Sequence, residues 1–164
     1  MRRTLIAGFG NVLRGDDGFG VEVVRQLDLA GTVPPGTVLL EVGTGGVALA
    51  QALLAGYERL IVVDAMSRGG VPGRLYVLRV DAVETLRSVD MHMAVPSRAL
   101  GLAQALGVLP PEVFLVGCEP CSVEELTMDL STPVSAAVSE ALRAIVPLLA
   151  DEATLVTAGG PIRD

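Results

Sequence analysis

Tryptophan is absent from the 164 residues, aromatic side chains make up only 3%, and the chain has one histidine and two cysteines. The core must therefore be built from aliphatic side chains. Two cysteines are too few for a disulfide-stabilised scaffold. A zinc site is also excluded, since Cys118 and Cys121 form one Cys-x-x-Cys pair and the single histidine cannot supply both remaining ligands. We interpret Cys118 as a small buried apolar residue, with a redox role for the pair as the less favoured alternative.

Positive charge is also scarce, because 12 lysine and arginine residues face 19 acidic ones and the formal net charge is −7. Nucleic acids and anionic membranes require a basic surface, so we expect neither as a partner. Apolar runs such as 60–65 are far shorter than the roughly 20 residues that a transmembrane helix needs. The apolar run that starts at Leu5 ends at Gly8, which is too short for a secretory signal, and we expect a cytoplasmic protein.

Hydrophobic residues make up 51% of the chain, which excludes intrinsic disorder, and the length fits one domain. Short apolar runs typical of buried strands alternate with segments whose apolar residues recur at helical spacing. The pattern predicts an α/β fold, a single three-layer α/β/α domain with a mostly parallel sheet and one antiparallel edge strand. The predicted strands are 4–8, 38–42, 60–63, 74–80 and 113–117, and the predicted helices are 16–27, 47–54, 97–106 and 134–149. We expect the domain to span residues 1–157 and residues 158–164 to form a frayed tail.

Glycine and acidic residues follow the first three predicted strands. They are Gly10, Asp16 and Asp17 after the first strand, Gly43, Thr44, Gly45 and Gly46 after the second, and Asp64 after the third. Ligands of open parallel sheets bind at the carboxyl ends of the strands, so this edge is the expected site. Of the acidic pair, we expect one carboxylate to cap the following helix, with Asp16 favoured for that role, and the other to be functional.

His92 carries the only imidazole and lies between two methionines. These apolar neighbours predict partial burial, which keeps an imidazole neutral and able to coordinate a metal. With Asp17 and Asp64 it would form a donor set suited to a divalent transition metal. The same three groups could instead perform general acid–base catalysis, and a lone histidine is often only a hydrogen-bonded surface residue. The residue types do not decide among these possibilities.

The turn at Gly8 and Gly10 is similar to the start of a dinucleotide-binding fingerprint, but Leu13 stands where the third glycine belongs. The predicted helix also opens with two carboxylates, which would repel a phosphate. A nucleotide-binding Rossmann-like module is therefore a weak alternative, and we expect no nucleotide cofactor.

A more specific pattern covers residues 8–21, whose sequence is GFGNVLRGDDGFGV. It closely resembles the G-x-G-N-x-L and D-[DE]-G-x-G signature of the nickel–iron hydrogenase maturation endopeptidases. The resemblance continues in the family's order through residues 43–46, 62–65, 101–106, 117–120 and 130–134. It thus spans nearly the whole chain and implies a mixed sheet between helices, in agreement with the periodicity.

The resemblance implies an aspartyl-type endopeptidase, a hydrolase that removes the C-terminal extension of a hydrogenase large-subunit precursor after nickel insertion. The nickel would be supplied by the precursor and would serve for recognition. The positions that match the family's metal-contacting residues are Asp17, Asp64 and His92, and residues 43–46 would offer backbone amides to the substrate. A noncatalytic, nickel-dependent maturation chaperone is the alternative.

Two departures from the family's pattern concern the metal ligands. Asp17 occupies a position where glutamate is common, and its side chain is one methylene shorter. Residues 93–100, including Pro96, separate His92 from the G-L-A helix motif, which predicts a longer loop than is usual in the family. Because the chain has no other histidine, we expect His92 to reach the site.

Overall fold

In the computed structural model, which describes residues 2–81 and 94–150, a five-stranded sheet lies between helices. The strands are β1 (Thr4–Phe9), β2 (Thr37–Gly43), β3 (Arg59–Ala65), β4 (Leu75–Arg79) and β5 (Glu112–Cys118). The helices are α1 (Phe19–Ala30), α2 (Gly46–Leu53), α3 (Ala94–Ala105) and α4 (Thr132–Leu148), and a short 3₁₀ turn spans Gly15–Gly18.

The strand order is β2-β1-β3-β5-β4. The first four of these strands run parallel, and β4 pairs antiparallel with β5 at the edge. This confirms the predicted α/β class with a mostly parallel sheet and one antiparallel edge strand. The predicted tail, residues 158–164, lies outside the described residues, so the proposed domain boundary stays a prediction.

Both faces of the sheet are covered. On one face, α2 and α3 pack over Leu5, Leu60 and Leu115. On the other face, α1 and α4 pack over Ile6 and Ile61. Burial on both faces explains why the three central strands, β1, β3 and β5, appear in the sequence as continuous apolar runs rather than as alternating patterns. Among the described residues, no helix has the length and apolar character to cross a bilayer.

Two glycines bring α1 unusually close to the sheet. A Cβ atom at Gly20 would lie 2.1 Å from the backbone oxygen of Val63, and a Cβ at Gly8 would lie 2.4 Å from the backbone oxygen of Gly20. No larger residue fits at either position without moving the helix. The spacing of the two glycines therefore fixes the start of α1, and the 3₁₀ turn before it, at the carboxyl ends of β1 and β3.

The opposite end of the sheet is held by a buried ionic cluster. Arg59 Nε donates to Glu112 Oε2 at 2.9 Å, and Arg2 Nη1 donates to the same oxygen at 2.6 Å. Arg59 Nη1 also donates to the backbone oxygen of Leu148 at 2.6 Å. Arg59 Nη2 lies 2.9 Å from Glu112 Oε2, but at an angle that forms no hydrogen bond. The cluster joins the starts of β3 and β5 to the end of α4.

The same cluster sets the pKa of Glu112. Burial raises this pKa, but hydrogen bonds and charge attraction from Arg2 and Arg59 outweigh burial and hold it below the ordinary value of 4.5. A carboxyl whose pKa is lowered by folding stabilises the fold above its unfolded-state pKa, and that stabilisation is lost as the pH falls through the folded-state pKa.

We predict that Glu112→Ala lowers the free energy of unfolding by about 3 kcal/mol at neutral pH, because it leaves the buried Arg59 without its carboxylate. Urea denaturation measures this loss. The difference from the wild type should narrow as the pH falls below 4.5 and through the lowered folded-state pKa, because Glu112 is then protonated in the native protein as well.

Glu58→Ala is the matched control, since Glu58 is exposed and accepts a surface hydrogen bond from the Arg3 N–H at 3.1 Å. Equal losses for the two variants, or a Glu112 effect of the same size at acidic and neutral pH, would contradict the assignment.

Candidate active site

Asp17 and Asp64 both border Gly10, the residue that follows β1. Gly10 has a φ of +119°, a conformation that favours glycine. A Cβ atom there would lie 1.8 Å from the backbone oxygen of Asp17 and 3.5 Å from Oδ1 of Asp64. The absence of a side chain at Gly10 thus allows the turn carrying Asp17 to approach the end of β3. Two of the three predicted metal-contacting residues lie at one edge of the sheet.

The carboxylate of Asp17 is oriented by the loop that precedes it. Asp17 is half-buried in the 3₁₀ turn, and its Oδ2 accepts a hydrogen bond from the Asn11 N–H at 2.8 Å. The Asn11 side chain in turn accepts from the Leu13 N–H at 2.9 Å, which stabilises the loop. Sequence reasoning did not assign Asn11 a role, although its position in the G-x-G-N block was a usable signal.

Asp64 is 4% exposed and lies within β3, one residue before the strand ends at Ala65. Its Oδ1 accepts a hydrogen bond from the Ala65 N–H at 2.8 Å. Burial of a carboxylate requires such partners, and here one of them is the adjacent backbone. The side chain is therefore fixed by the strand that carries it.

The expectation that Asp16 caps the following helix is wrong. Its carboxylate, 2% exposed, accepts hydrogen bonds from the Cys121 N–H at 2.8 Å, from the Ser131 N–H at 2.7 Å and from the Ser131 hydroxyl at 2.8 Å. Ser131 is the residue before α4, and no side chain caps α1 or the 3₁₀ turn. Asp16 therefore ties the turn to the segment between β5 and α4, which local sequence could not reveal.

His92 lies outside the described residues, so its approach to the two carboxylates stays a prediction. Within residues 2–81 and 94–150, no three histidine, cysteine, aspartate or glutamate side chains are arranged to hold a metal ion. The helix predicted over 97–106 begins three residues earlier, at Ala94, so residues 94–96 belong to α3 and not to a loop after His92. Pro96 is compatible with this helix because it lies in the first turn, where its missing N–H is not needed.

The residues predicted to bind substrate divide into two pairs. Gly43 and Thr44 line a cavity of about 290 Å³ that also contacts Gly10. Gly45 and Gly46 lie at the start of α2, and a Cβ at Gly46 would approach the Cβ of Ala99 to 3.0 Å. The first pair thus borders open space next to Gly10, while Gly46 allows α2 to pack against α3.

Comparisons with known proteins agree with this fold. The model of the family HycI, hydrogenase maturation protease, matches residues 21–148. The hydrogenase expression/formation protein HupM of Azotobacter chroococcum is 36% identical over 156 residues, 93% of this chain and 74% of the relative. The hydrogenase 2 maturation protease of Escherichia coli is 30% identical over 150 residues, 90% of each chain. The chain belongs to the hydrogenase maturation protease family.

Solved structures of family members share the fold. The E. coli hydrogenase maturating endopeptidase HybD superposes with a TM-score of 0.77 at 28% identity, covering 96% of this chain and 94% of its own. HybD from Thermococcus kodakarensis, a [NiFe] hydrogenase maturation protease, gives 0.77 at 30% identity, covering 90% and 99%. This maturation protease is therefore a hydrolase with the architecture of its relatives.

The thiol of Cys118 in this protease is buried and protonated. Cys118 is fully buried, and burial, followed by the charges of Asp16, Glu119 and Glu140, raises the pKa of its thiol to about 12. A thiol reacts as the thiolate, so Cys118 is inert at neutral pH. Cys121 is exposed, and both cysteines are free. These facts agree with the interpretation of Cys118 as a small buried apolar residue.

Glu119 organises the loop that follows Asp64, a role that sequence reasoning missed. Its carboxylate accepts hydrogen bonds from the Arg68 N–H at 2.8 Å, the Gly69 N–H at 3.1 Å and the Tyr76 hydroxyl at 2.8 Å. Burial and the hydrogen bond to Glu119 raise the pKa of Tyr76, which keeps its hydroxyl proton available to the carboxylate. Its place after β5 in the block 117–120 was the available signal.

We predict that the same substitution affects stability much more at Asp16 than at Asp17. Asp16→Asn should lower the free energy of unfolding by about 2 kcal/mol, because an amide presents a donor to groups that are themselves donors. Asp17→Asn should change it by less than about 0.5 kcal/mol, since the remaining oxygen can still accept from Asn11.

Urea denaturation of the two variants measures the difference, and each serves as the other's control. Equal stability of the two variants, or a larger loss for Asp17→Asn, would refute the division of roles.

Proposed function

We propose that this protease removes the C-terminal extension of a nickel–iron hydrogenase large-subunit precursor after nickel insertion, and that it recognises the precursor through its nickel. The observation that carries the proposal is the placement of Asp17 and Asp64 against Gly10 in a chain of the hydrogenase maturation protease family. The partner is thus a protein that carries its own metal, which enters as part of the substrate.

The donor set suits that metal. Two carboxylates and the imidazole of His92 are oxygen and nitrogen ligands that a divalent transition metal accepts beside the thiolates of the precursor. Such contacts exist only when the precursor has received its nickel. Cleavage would therefore occur only after nickel has been inserted into the precursor.

Orientation of the acids supports cleavage at a fixed position. The Asn11 N–H holds Asp17 and the Ala65 N–H holds Asp64, so neither carboxylate has to be ordered when the substrate arrives. A peptide anchored at its nickel would have the adjoining cavity beside Gly43 and Thr44 for its main chain. An aspartate at this edge can then act as the general base for the attacking water.

The test is mass spectrometry of a purified large-subunit precursor after incubation with the protease. We expect a shortened C-terminus with the nickel-loaded precursor and none with the nickel-free form. Asp17→Asn, Asp64→Asn and His92→Ala should each slow cleavage by at least about 100-fold. Asp28→Asn, an exposed carboxylate on α1, is the control and should cleave at the wild-type rate.

Three results would sink the proposal. The first is a nickel-loaded precursor that binds but is not cut, as the chaperone alternative predicts. The second is equal cleavage of the nickel-loaded and nickel-free precursors. The third is full activity of His92→Ala.

A further inference from the structure

A second concave surface, distinct from the edge that carries Asp17 and Asp64, lies between α1 and α4. It is a groove of about 630 Å³ whose floor is formed by Leu130, Val138 and Leu142. These side chains belong to or pack against the apolar core of that face. The groove therefore combines apolar and polar side chains between two rigid helices, a surface that suits an amphipathic segment of another protein.

The rim of the groove is acidic. Glu22 on α1 and Asp129 before α4 both line it, together with serine and glutamine side chains. Among the described residues that line it, none is basic. An occupant that pairs with this rim must carry positive charge beside its apolar residues.

Exposed apolar side chains extend the groove at the end nearest α4. Met128 is 71% exposed and lines the groove, and Leu126 is 84% exposed two residues earlier. Exposed apolar side chains that adjoin a groove mark an interaction surface more often than single exposed apolar side chains do.

The same segment is joined to the turn that carries Asp17. Arg14 and Thr127 form a parallel β-bridge, and the Gly15 N–H donates to the backbone oxygen of Thr127 at 2.8 Å. On the other wall, Glu22 lies on the helix that follows the same turn. A partner seated in the groove is thus held against the elements that position Asp17.

We infer that the groove between α1 and α4 is a docking site for a basic, amphipathic segment of the hydrogenase precursor, away from the bond that is cut. This inference rests on the proposed function for the identity of the partner. A second copy of this chain suits the groove less well, because it brings the same net charge of −7 to an acidic rim. Docking here would supply affinity that does not depend on nickel.

The test places charge in the groove without disturbing the core. Ser139 is exposed on α4 and lines the groove, whereas Ala136 is exposed on the same helix and does not. Ser139→Arg should weaken binding of the nickel-free precursor by about tenfold through repulsion of a basic segment. Ala136→Arg, with the same added side chain, should bind as the wild type does, and Ser139→Glu should bind at least as tightly as the wild type.

Binding is measured by titration of labelled precursor, and cleavage of the nickel-loaded form is followed in parallel. We expect Ser139→Arg to raise KM by about tenfold and to leave kcat within about twofold, since the acids are untouched. If wild-type protease binds but does not cleave, the proposed function fails while the titration still decides the docking site.

Several outcomes would overturn the inference. Binding unaffected by Ser139→Arg, equal weakening by Ala136→Arg, or equal weakening by Ser139→Glu would each do so. A wild-type dimer in light scattering that Ser139→Arg dissociates would show that a second copy fills the groove instead.

Discussion

The close approach of α1 to β1 and β3 is the constraint on which the site depends. Gly20 lets the helix backbone reach the carbonyl of Val63, and Gly8 gives it room against β1. The turn that precedes the helix is thereby held at the carboxyl ends of both strands. Gly10 then leaves space for Asp17 beside Asp64. The D-D-G-x-G and G-x-G blocks therefore need glycine for the close packing that places Asp17 beside Asp64.

The two ends of the sheet use charge in different ways. At the strand starts, Glu112 and Arg59 are buried against each other and stabilise the fold. At the strand ends, Asp16 is buried with three hydrogen-bond donors around it, whereas its neighbour Asp17 is only half-buried. Consecutive carboxylates thus divide into one that stabilises the turn and one that lies at the same edge of the sheet as Asp64. Asp16 and Asp17 therefore differ in burial and in hydrogen-bond partners although they are adjacent and identical.

The sequence was sufficient for the architecture because its three central strands, β1, β3 and β5, are buried on both faces and appear as short apolar runs. The positions of Asp17 and Asp64 followed from the rule that sites form at the carboxyl ends of strands. The partners of Asp16 could not be predicted, since Cys121 and Ser131 are more than a hundred residues away. The early start of α3 was missed because a proline is typical of a helix boundary, whereas Pro96 lies in the first turn of α3. His92 remains a prediction from resemblance.

Nickel-edge X-ray absorption of the nickel-loaded precursor, measured alone and freeze-trapped with the protease, most directly tests whether the acids contact the metal. Contact by Asp17, Asp64 and His92 predicts added oxygen and nitrogen neighbours beside the sulfur ligands. The added oxygen neighbours should vanish with the Asp17→Asn, Asp64→Asn double variant, which keeps the imidazole nitrogen of His92, and all should persist with Asp28→Asn. An identical nickel spectrum with and without bound wild-type protease would contradict recognition through the metal.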